Sequence, residues 1–391
     1  MTEWLIGIVN CGDTPMKSWM KRAACIASGL GLTPLAATAE DFSLIDNSTI
    51  LGQNYGYADQ TREGAETPEG EIDLVVETAV FFKNLELIDL GELDGETFFG
   101  AIVPVRARYA PSDSISIELG AVLGQNFGDD DSIDEIEPLI RIVAEPADDM
   151  FVIGGTLAQT HWIHDALFDD TNKFRDLTEQ GLQFRVDRAG WKQDTWINWR
   201  IREGEIDAEE FEIGNASQLR FLDEMVHLDA QVLWTHAGGQ ISESRQVDDN
   251  FVVKLGGSVG VSQPGGMSWI DDLRLGAHAF GSSDSTKDTA TETGDGFEVR
   301  SSVDLAPNEA TTVRLHASYF EGSDFINRRG DPLYSFEDYA QLGASAVWSL
   351  AENLQIEAGG VAQQAGDELN WSAMISLSWG ATFDLGGIRA R

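Results

Sequence analysis

From about residue 71 onward, apolar and polar residues alternate with a period of two, which is the pattern of a β-strand with two different faces. The clearest example is the segment from Trp371 to Phe383, where every second residue is apolar and the residues between are mostly Ser, Gly and Thr. A strand of a soluble sandwich would also alternate. This apolar row, however, has aromatic residues near both ends and aliphatic residues between them, which is typical of a strand that crosses a bilayer.

About sixteen segments of this kind follow one another along the chain. Most run for ~9–13 residues, the length of a tilted membrane strand, whereas soluble strands more often stop near ~5–6. Their approximate starts are Ile72, Phe98, Ser114, Ile136, Phe151, Gly181, Thr195, Phe211, Met225, Phe251, Leu273, Phe297, Thr312, Tyr339, Leu354 and Asn370.

The connections between the segments alternate between short and long. Short ones, such as residues 110–113 and 306–309, are rich in the turn formers Pro, Asp and Asn. Long ones include residues 161–179 and 282–295, although two connections on the long side, 203–208 and 364–369, are shorter than this rule predicts. The pattern predicts an all-β fold: a transmembrane antiparallel up-and-down β-barrel of about sixteen strands, with short periplasmic turns and long extracellular loops.

The first 39 residues are predicted to be an upstream extension followed by a signal peptide. Positive charges at Lys17, Lys21 and Arg22 precede a short apolar stretch, and a small-residue cleavage signal ends at Ala39. Residues 40–70 would then be a periplasmic segment and residues 71–391 the barrel.

The two cysteines, Cys11 and Cys25, both precede the predicted cleavage point. The mature chain would therefore have no thiol nucleophile, no cysteine zinc site and no disulfide framework.

The formal net charge of −40 argues against a nucleic-acid partner, because phosphate binding needs a basic surface. A mean hydropathy of −0.19, without a run of ~18 apolar residues, also argues against a helical membrane protein.

If the apolar rows face lipid, a set of basic residues faces the barrel lumen. Two interpretations remain open: an ion-pair network that stiffens the wall, or a cationic wall that selects solutes by charge. The predicted basic ladder is Arg106, Arg108, Arg141, Arg185, Arg200, Arg202 and Arg220.

In strand number and loop order, residues 71–383 resemble the general bacterial porins, although no sequence motif carries the resemblance. The resemblance implies that the third long loop, His161 to Glu179, folds inward to narrow the pore opposite the arginines. The chain departs from the porins because Leu385 to Arg391 follow the last aromatic residue, Phe383. The predicted constriction-loop acids are Asp165, Asp169, Asp170 and Asp176.

The lumen-facing Trp196 has two interpretations: it stacks on a sugar ring of a solute, or it packs under the constriction loop. The second is favoured.

Some outer-membrane barrels are hydrolases with a serine–histidine pair at the lipid interface. Here alternation places His227, His278 and His316 in the lumen, the pattern predicts no nucleophile elbow between a strand and a helix, and His236 has no acidic neighbour in sequence. His161 and His164 could form a metal-binding pair, but two histidines in a loop are more often simply exposed, and this second interpretation is favoured. The prediction is therefore that the protein is not an enzyme, with no cofactor and no metal.

The sequence thus predicts a porin-like channel of the bacterial outer membrane for passive or weakly selective diffusion of small hydrophilic solutes. Its predicted partners are outer-membrane lipid, lipopolysaccharide and those solutes, with a homotrimer as one expected assembly. The alternatives are a non-conducting barrel that acts as a receptor, adhesin or scaffold, an exporter of an acidic polysaccharide, and a soluble secreted sandwich.

Overall fold

The computed structural model describes residues 67–87, 95–128, 135–169, 171–204, 208–239, 247–286, 290–351 and 353–387. Within these ranges sixteen strands form one closed antiparallel barrel, in which each strand pairs with the next along the chain and β1 pairs with β16. The predicted fold class is confirmed. The predicted signal peptide and residues 40–66 lie outside the described residues.

The strands are close to the predicted segments, and the largest differences are at β7 and β12, which begin several residues earlier than expected. Their bounds are β1 Glu71–Glu86, β2 Glu96–Ser112, β3 Ile115–Asn126, β4 Glu135–Ala147, β5 Met150–Thr156, β6 Gln180–Arg188, β7 Trp191–Ile201, β8 Glu209–Phe221, β9 Val226–Gly238, β10 Asp248–Ser262, β11 Ile270–Thr286, β12 Glu292–Asn308, β13 Thr311–Ser323, β14 Asp338–Ala351, β15 Leu354–Ala365 and β16 Glu368–Gly387.

Alternate side chains point to opposite sides of the wall, as the period of two requires. On β4, Ile140 and Ile142 are more than half exposed on the outer face, while Leu139 and Arg141 are buried on the inner face. The outer face is therefore apolar, and the inner face holds most of the charge. No helix in the described ranges is long and apolar enough to cross a membrane.

The connection between β11 and β12 is shorter than predicted. Residues 282–295 were expected to form a long loop, but β11 continues to Thr286 and β12 starts at Glu292. Both strand ends are polar because they extend past the apolar band, where both faces meet water, and polarity there does not mark the end of a strand.

Two connections on the long-loop side pack inside the barrel. One is the β5–β6 loop, residues 157–179, which includes the short helix α1, Asn172–Arg175. The other is the β13–β14 loop, residues 324–337, which includes a 3₁₀ turn at Pro332–Ser335. The backbone of the β5–β6 loop turns inward directly after Gly155, whose φ of 99° favours glycine.

Hydrogen bonds join the two inner loops to each other. The Asp331 amide donates to the Asp165 carbonyl over 2.8 Å, and the Asp169 amide donates to the Arg329 carbonyl over 2.7 Å. Apolar residues of both loops and of the surrounding strands form one buried cluster in the lumen, which includes Leu157, Ile163, Leu167, Phe168, Trp196, Leu233, Phe280, Phe320, Phe325, Leu333 and Tyr334. The main apolar core of this barrel is thus in its interior.

Candidate functional site

The first three arginines of the predicted ladder lie around one wall carboxylate. Glu118 on β3 is contacted by Arg106 at 3.1 Å, Arg108 at 2.9 Å and Arg141 at 3.6 Å. Arg106 also pairs with Glu77 on β1 at 2.6 Å. All five side chains are nearly inaccessible to solvent, so these arginines bind neighbouring carboxylates of the wall.

Arg141 and Arg185 also hold the β5–β6 loop. Arg141 donates to the carbonyls of Thr156 and Leu157, each over 2.8 Å. Arg185 donates to the carbonyl of Thr160 over 3.2 Å, and its guanidinium lies 4.1 Å from the ring centre of Trp162. These two cations fix the start of the inner loop against the wall.

The remaining members of the ladder are more peripheral. Arg200 is about one-third exposed and lies 3.4 Å from Glu210. Arg220 lies 3.4 Å from Asp187 and 3.2 Å from Glu224. Arg202 follows the end of β7 and is exposed, so the alternation that assigned it to the lumen has already ended at that position.

The predicted constriction-loop acids are in different environments. Asp165 is buried between the two inner loops, and Asp169 accepts a hydrogen bond from the Thr171 amide over 3.0 Å. Asp176 lies 3.1 Å from Arg329 and 3.6 Å from Arg200. Asp170 lies outside the described residues.

Trp196 packs under the β5–β6 loop. Its indole stacks on the His161 ring, with centroids 3.6 Å apart and planes 12° from parallel, and it is 1% exposed. A sugar ring therefore has no access to the face that His161 covers.

His161 bridges two carboxylates. Its Nε2 lies 2.6 Å from Glu179 and its Nδ1 lies 2.9 Å from Asp194. Burial favours the neutral ring, but Glu179 and Asp194 together outweigh burial and raise the pKa of His161 to about 9. The ring is therefore charged at neutral pH, as suits an ion pair and not a general base.

His164 is separate from His161, so the two histidines do not form the metal pair considered from the sequence. Its Nε2 lies 3.0 Å from Glu298 on β12, and His278 on β11 lies 3.5 Å from the same carboxylate. Burial, followed by the charge of Arg300, lowers the pKa of His164 to about 3.

A third histidine contact lies on the outer face of the barrel. The Nδ1 atom of His236 on β9 is 2.8 Å from Oδ1 of Asp249 on β10. Both residues share the strand face of exposed apolar residues, Leu228 on β9 and Phe251 on β10, which faces lipid. They lie at the long-loop end of their strands.

Aromatic residues surround this dyad. The His236 ring lies 4.9 Å from Phe211, and Phe211 lies 5.4 Å from Trp199, which is 46% exposed. The indole of Trp234 donates to Oδ1 of Asp249 over 3.0 Å. Exposed aromatic rings near a strand end are typical of a membrane interface, so the dyad lies at the level of the aromatic belt.

The second ring nitrogen of His236, Nε2, belongs to a side chain that is 20% exposed. Nε2 has no hydrogen-bond partner among the described residues, and the absence of a side chain at Gly238 leaves space beside it, since a Cβ there would lie 2.9 Å from Nε2. A neutral ring that donates from Nδ1 to Asp249 presents a lone pair at Nε2. This is the arrangement of a general base with an orienting carboxylate.

The acidic partner of His236 was missed in the sequence because it lies thirteen positions away, on the next strand, and register alone brings the two together. Pairing the two predicted strands at this end would have placed Asp249 beside His236.

A family model described as "Lipid A 3′-O-deacylase-type" matches residues 60–345. No curated protein matches the chain. Among solved structures, a loop L8 deletion mutant of OmpT, an outer membrane protein of Vibrio cholerae, aligns with a TM-score of 0.50 and 10% identity over 79% of this chain and 99% of that chain. The trimer form of in-vitro folded OmpT from Vibrio cholerae aligns with a TM-score of 0.50 and 8% identity over 80% of this chain and 100% of that chain.

At these identities the structural likeness shows the fold alone, that of an outer-membrane barrel. The family match contradicts the prediction that the protein is not an enzyme, which was wrong. The acid that pairs with His236 comes from the neighbouring strand, so it does not stand beside His236 in the sequence.

Proposed function

The chain belongs to the lipid A 3′-O-deacylase-type family, and from this membership we propose that it hydrolyses the ester bond between an acyl chain and the 3′ oxygen of lipid A. The observation that carries the proposal is the His236–Asp249 dyad on the lipid-facing side of the barrel, inside the outer aromatic belt. The substrate is a lipid of the outer leaflet, so its ester bonds reach this position without leaving the membrane.

The reaction needs a base that activates a nucleophile. In the row of outward-facing residues that crosses β9, β10 and β11, the nearest hydroxyl is that of Ser285, which pairs with Asp249 and lies one strand beyond it from His236. Because no hydroxyl in that row of described residues lies closer, we propose that His236 activates a water molecule at Nε2.

The steps follow from this geometry. His236 Nε2 takes a proton from water while the water oxygen attacks the ester carbonyl carbon. Asp249 stabilises the imidazolium that forms and holds Nδ1–H in place. The tetrahedral intermediate then breaks its bond to the 3′ oxygen, and His236 returns the proton to that oxygen. The products are a free fatty acid and a lipid A with a 3′ hydroxyl.

The surrounding surface suits an acyl chain. Trp199, Phe251 and Leu255 are each about half exposed on the outer face of β7 and β10. Such side chains bind acyl chains by apolar contact while the ester stays at the level of the aromatic belt.

The test is mass spectrometry of lipid A from outer membranes that contain the wild-type protein or its His236→Gln variant. The wild type should yield lipid A that lacks one ester-linked acyl chain, and H236Q should leave lipid A intact. The matched control is His227→Gln, the same substitution on the same strand but facing the lumen. Equal activity of H236Q and wild type would refute the assignment of His236.

Passive diffusion of small hydrophilic solutes stays a prediction. The burial of Arg106, Arg108, Arg141 and Arg185 does not favour a wide aqueous path among the described residues. The receptor, adhesin, scaffold and polysaccharide-exporter alternatives, the homotrimer and the binding of lipopolysaccharide at the outer face also stay predictions.

A further inference from the structure

Deep in the barrel interior, three side chains from three separate elements converge. His164 comes from the β5–β6 loop, His278 from β11 and Glu298 from β12. One ligand atom from each lies within 4.8 Å of the other two, and all three side chains have no solvent exposure. We propose that they bind a divalent transition-metal ion, with zinc as the best match, at a site distinct from the His236–Asp249 dyad.

The chemistry of the three groups fits zinc. Two imidazoles and one carboxylate are a ligand set that zinc accepts, with metal–ligand bonds of about 2.0–2.2 Å, so that neighbouring ligand atoms in a tetrahedron lie about 3.3 Å apart. Oε2 of Glu298 lies 3.0 Å from His164 Nε2 and 3.5 Å from His278 Nδ1. One of these two distances is shorter and the other longer than the distance of about 3.3 Å expected between neighbouring ligand atoms of a tetrahedral zinc site.

The environment of His278 favours a metal ligand role for its ring. Neither of its ring nitrogens has a hydrogen-bond partner among the described residues, although the residue is 1% exposed. A buried imidazole without partners is costly, and a metal at Nδ1 would satisfy that atom. The proton on Nε2 of His278 would then point toward Asp229. Oδ2 of Asp229 lies 3.7 Å away and also has no hydrogen-bond partner among the described residues.

The surroundings of the carboxylate are consistent with one open oxygen. Arg300 Nη2 at 2.8 Å and the Tyr334 hydroxyl at 3.0 Å both donate to Oε1 of Glu298. Oε2 is left to the two histidines. Asp229 would serve as the carboxylate that orients a metal-bound histidine from behind, an arrangement that recurs in zinc sites.

Two features oppose the metal and define what must change on binding. Arg300 and Lys254 are cations close to the site, and their charge is offset by Glu298 and Asp229. The Ala166 amide donates to Nδ1 of His164 over 3.1 Å, so coordination through Nε2 requires Nδ1 to carry the proton and this hydrogen bond to break. Coordination also removes the proton through which Nε2 contacts Oε2 of Glu298 at 3.0 Å, so two hydrogen bonds are exchanged for the metal bonds of His164 and Glu298.

Binding would cross-link the β5–β6 loop to β11 and β12. The ion would fasten the apolar cluster inside the barrel at a point where His164 already contacts Phe280 and Tyr334. Its role is therefore in holding the inner loop in the lumen.

The experiment uses the folded full-length chain in detergent, freed of metal by a chelator and then dialysed against Zn²⁺ or Co²⁺ alone. The wild type should retain one equivalent of zinc, and the cobalt form should show the strong visible absorption of tetrahedral Co²⁺. His278→Gln should reduce zinc affinity at least tenfold. His227→Gln, another lumen-facing histidine, should not change it.

Several results would overturn the proposal: no zinc retained by the wild type, unchanged affinity in H278Q, or equal loss in H227Q. Heat-modifiable electrophoretic mobility checks that each variant is folded. If H278Q does not fold, His164→Gln replaces it, because that residue lies on a loop and not in the wall. The readout is bound metal, so it is independent of lipid A hydrolysis.

Discussion

His236 and Asp249 occupy directly paired positions on β9 and β10, and their side chains meet on the outer face at 2.8 Å. Strand register alone produces this contact. A shift of one residue would turn every side chain of β10 to the opposite face of the wall, so Asp249 would leave the outer face. The dyad therefore depends on the closed hydrogen-bond ladder of the barrel, which fixes the register over the whole length of both strands.

Replacing Asp249 by Asn should strongly reduce the hydrolysis of lipid A. The amide no longer stabilises the imidazolium and allows the wrong ring tautomer, which costs about 10²- to 10⁴-fold in rate for a general base. The initial rate of fatty-acid release from lipid A in mixed micelles measures the effect. Asp248→Asn, on the same strand but facing the lumen, is the control and should keep the wild-type rate. A D249N rate within a factor of two of wild type would exclude the dyad.

Gly238→Ala should block the water position without breaking the dyad. The new Cβ would lie 2.9 Å from Nε2 of His236, closer than a carbon–nitrogen contact allows. Gly238 has no positive φ, so alanine fits the backbone. We expect a fall in kcat of about tenfold or more, since the attacking water no longer has room beside the base that takes its proton. Gly281→Ala on the outer face of β11, where a Cβ would make an ordinary 3.4 Å contact with Val253, is the control and should be as active as wild type.

The fold was predictable because every strand repeats the same signal, apolar residues on one face and polar residues on the other. The strand ends at Thr286 and Glu292 were not predictable from the sequence, because a strand that extends beyond the apolar band has no need of apolar residues on either face. Alternation placed His227, His278 and His316 in the lumen, but it assigned no partner to any of the six histidines. Their partners could not be predicted, because His161, His164 and His236 each contact residues on other strands, and those contacts depend on register and on how a loop folds into the lumen.

His161 should make the packing of the inner loop depend on pH. Its folded pKa of about 9 is above the ordinary value of 6.5. A raised pKa stabilises the fold fully below pH 6.5, and the contribution, about 3 kcal/mol, is lost as pH rises through 9. The temperature at which half of the wild-type barrel is unfolded should therefore decrease as the pH is raised from 6.5 to about 9.

The His161→Gln variant separates this effect from the other titrating groups. It should be destabilised by about 3 kcal/mol at pH 6.5, because Glu179 and Asp194 stay buried without a cation between them. Its midpoint should change less than that of the wild type over the same pH range. His227→Gln is the control, and its unfolding midpoint should decrease with rising pH as that of the wild type does. Parallel curves for wild type and H161Q would show that another group titrates.

Ion conductance distinguishes a packed lumen from an open pore. Leu167 and Phe168 of the β5–β6 loop are buried against Trp196 and the strands, and Arg141 and Arg185 hold the start of this loop. In a planar bilayer the wild type should therefore give no stable nanosiemens-scale steps. Leu167→Asp places a charge in this apolar cluster, where it has no partner, and should release the loop and produce steps. Large, steady conductance steps from the wild type would instead favour the diffusion channel. The sign of the reversal potential in a salt gradient would then show whether arginines or carboxylates line its narrowest part.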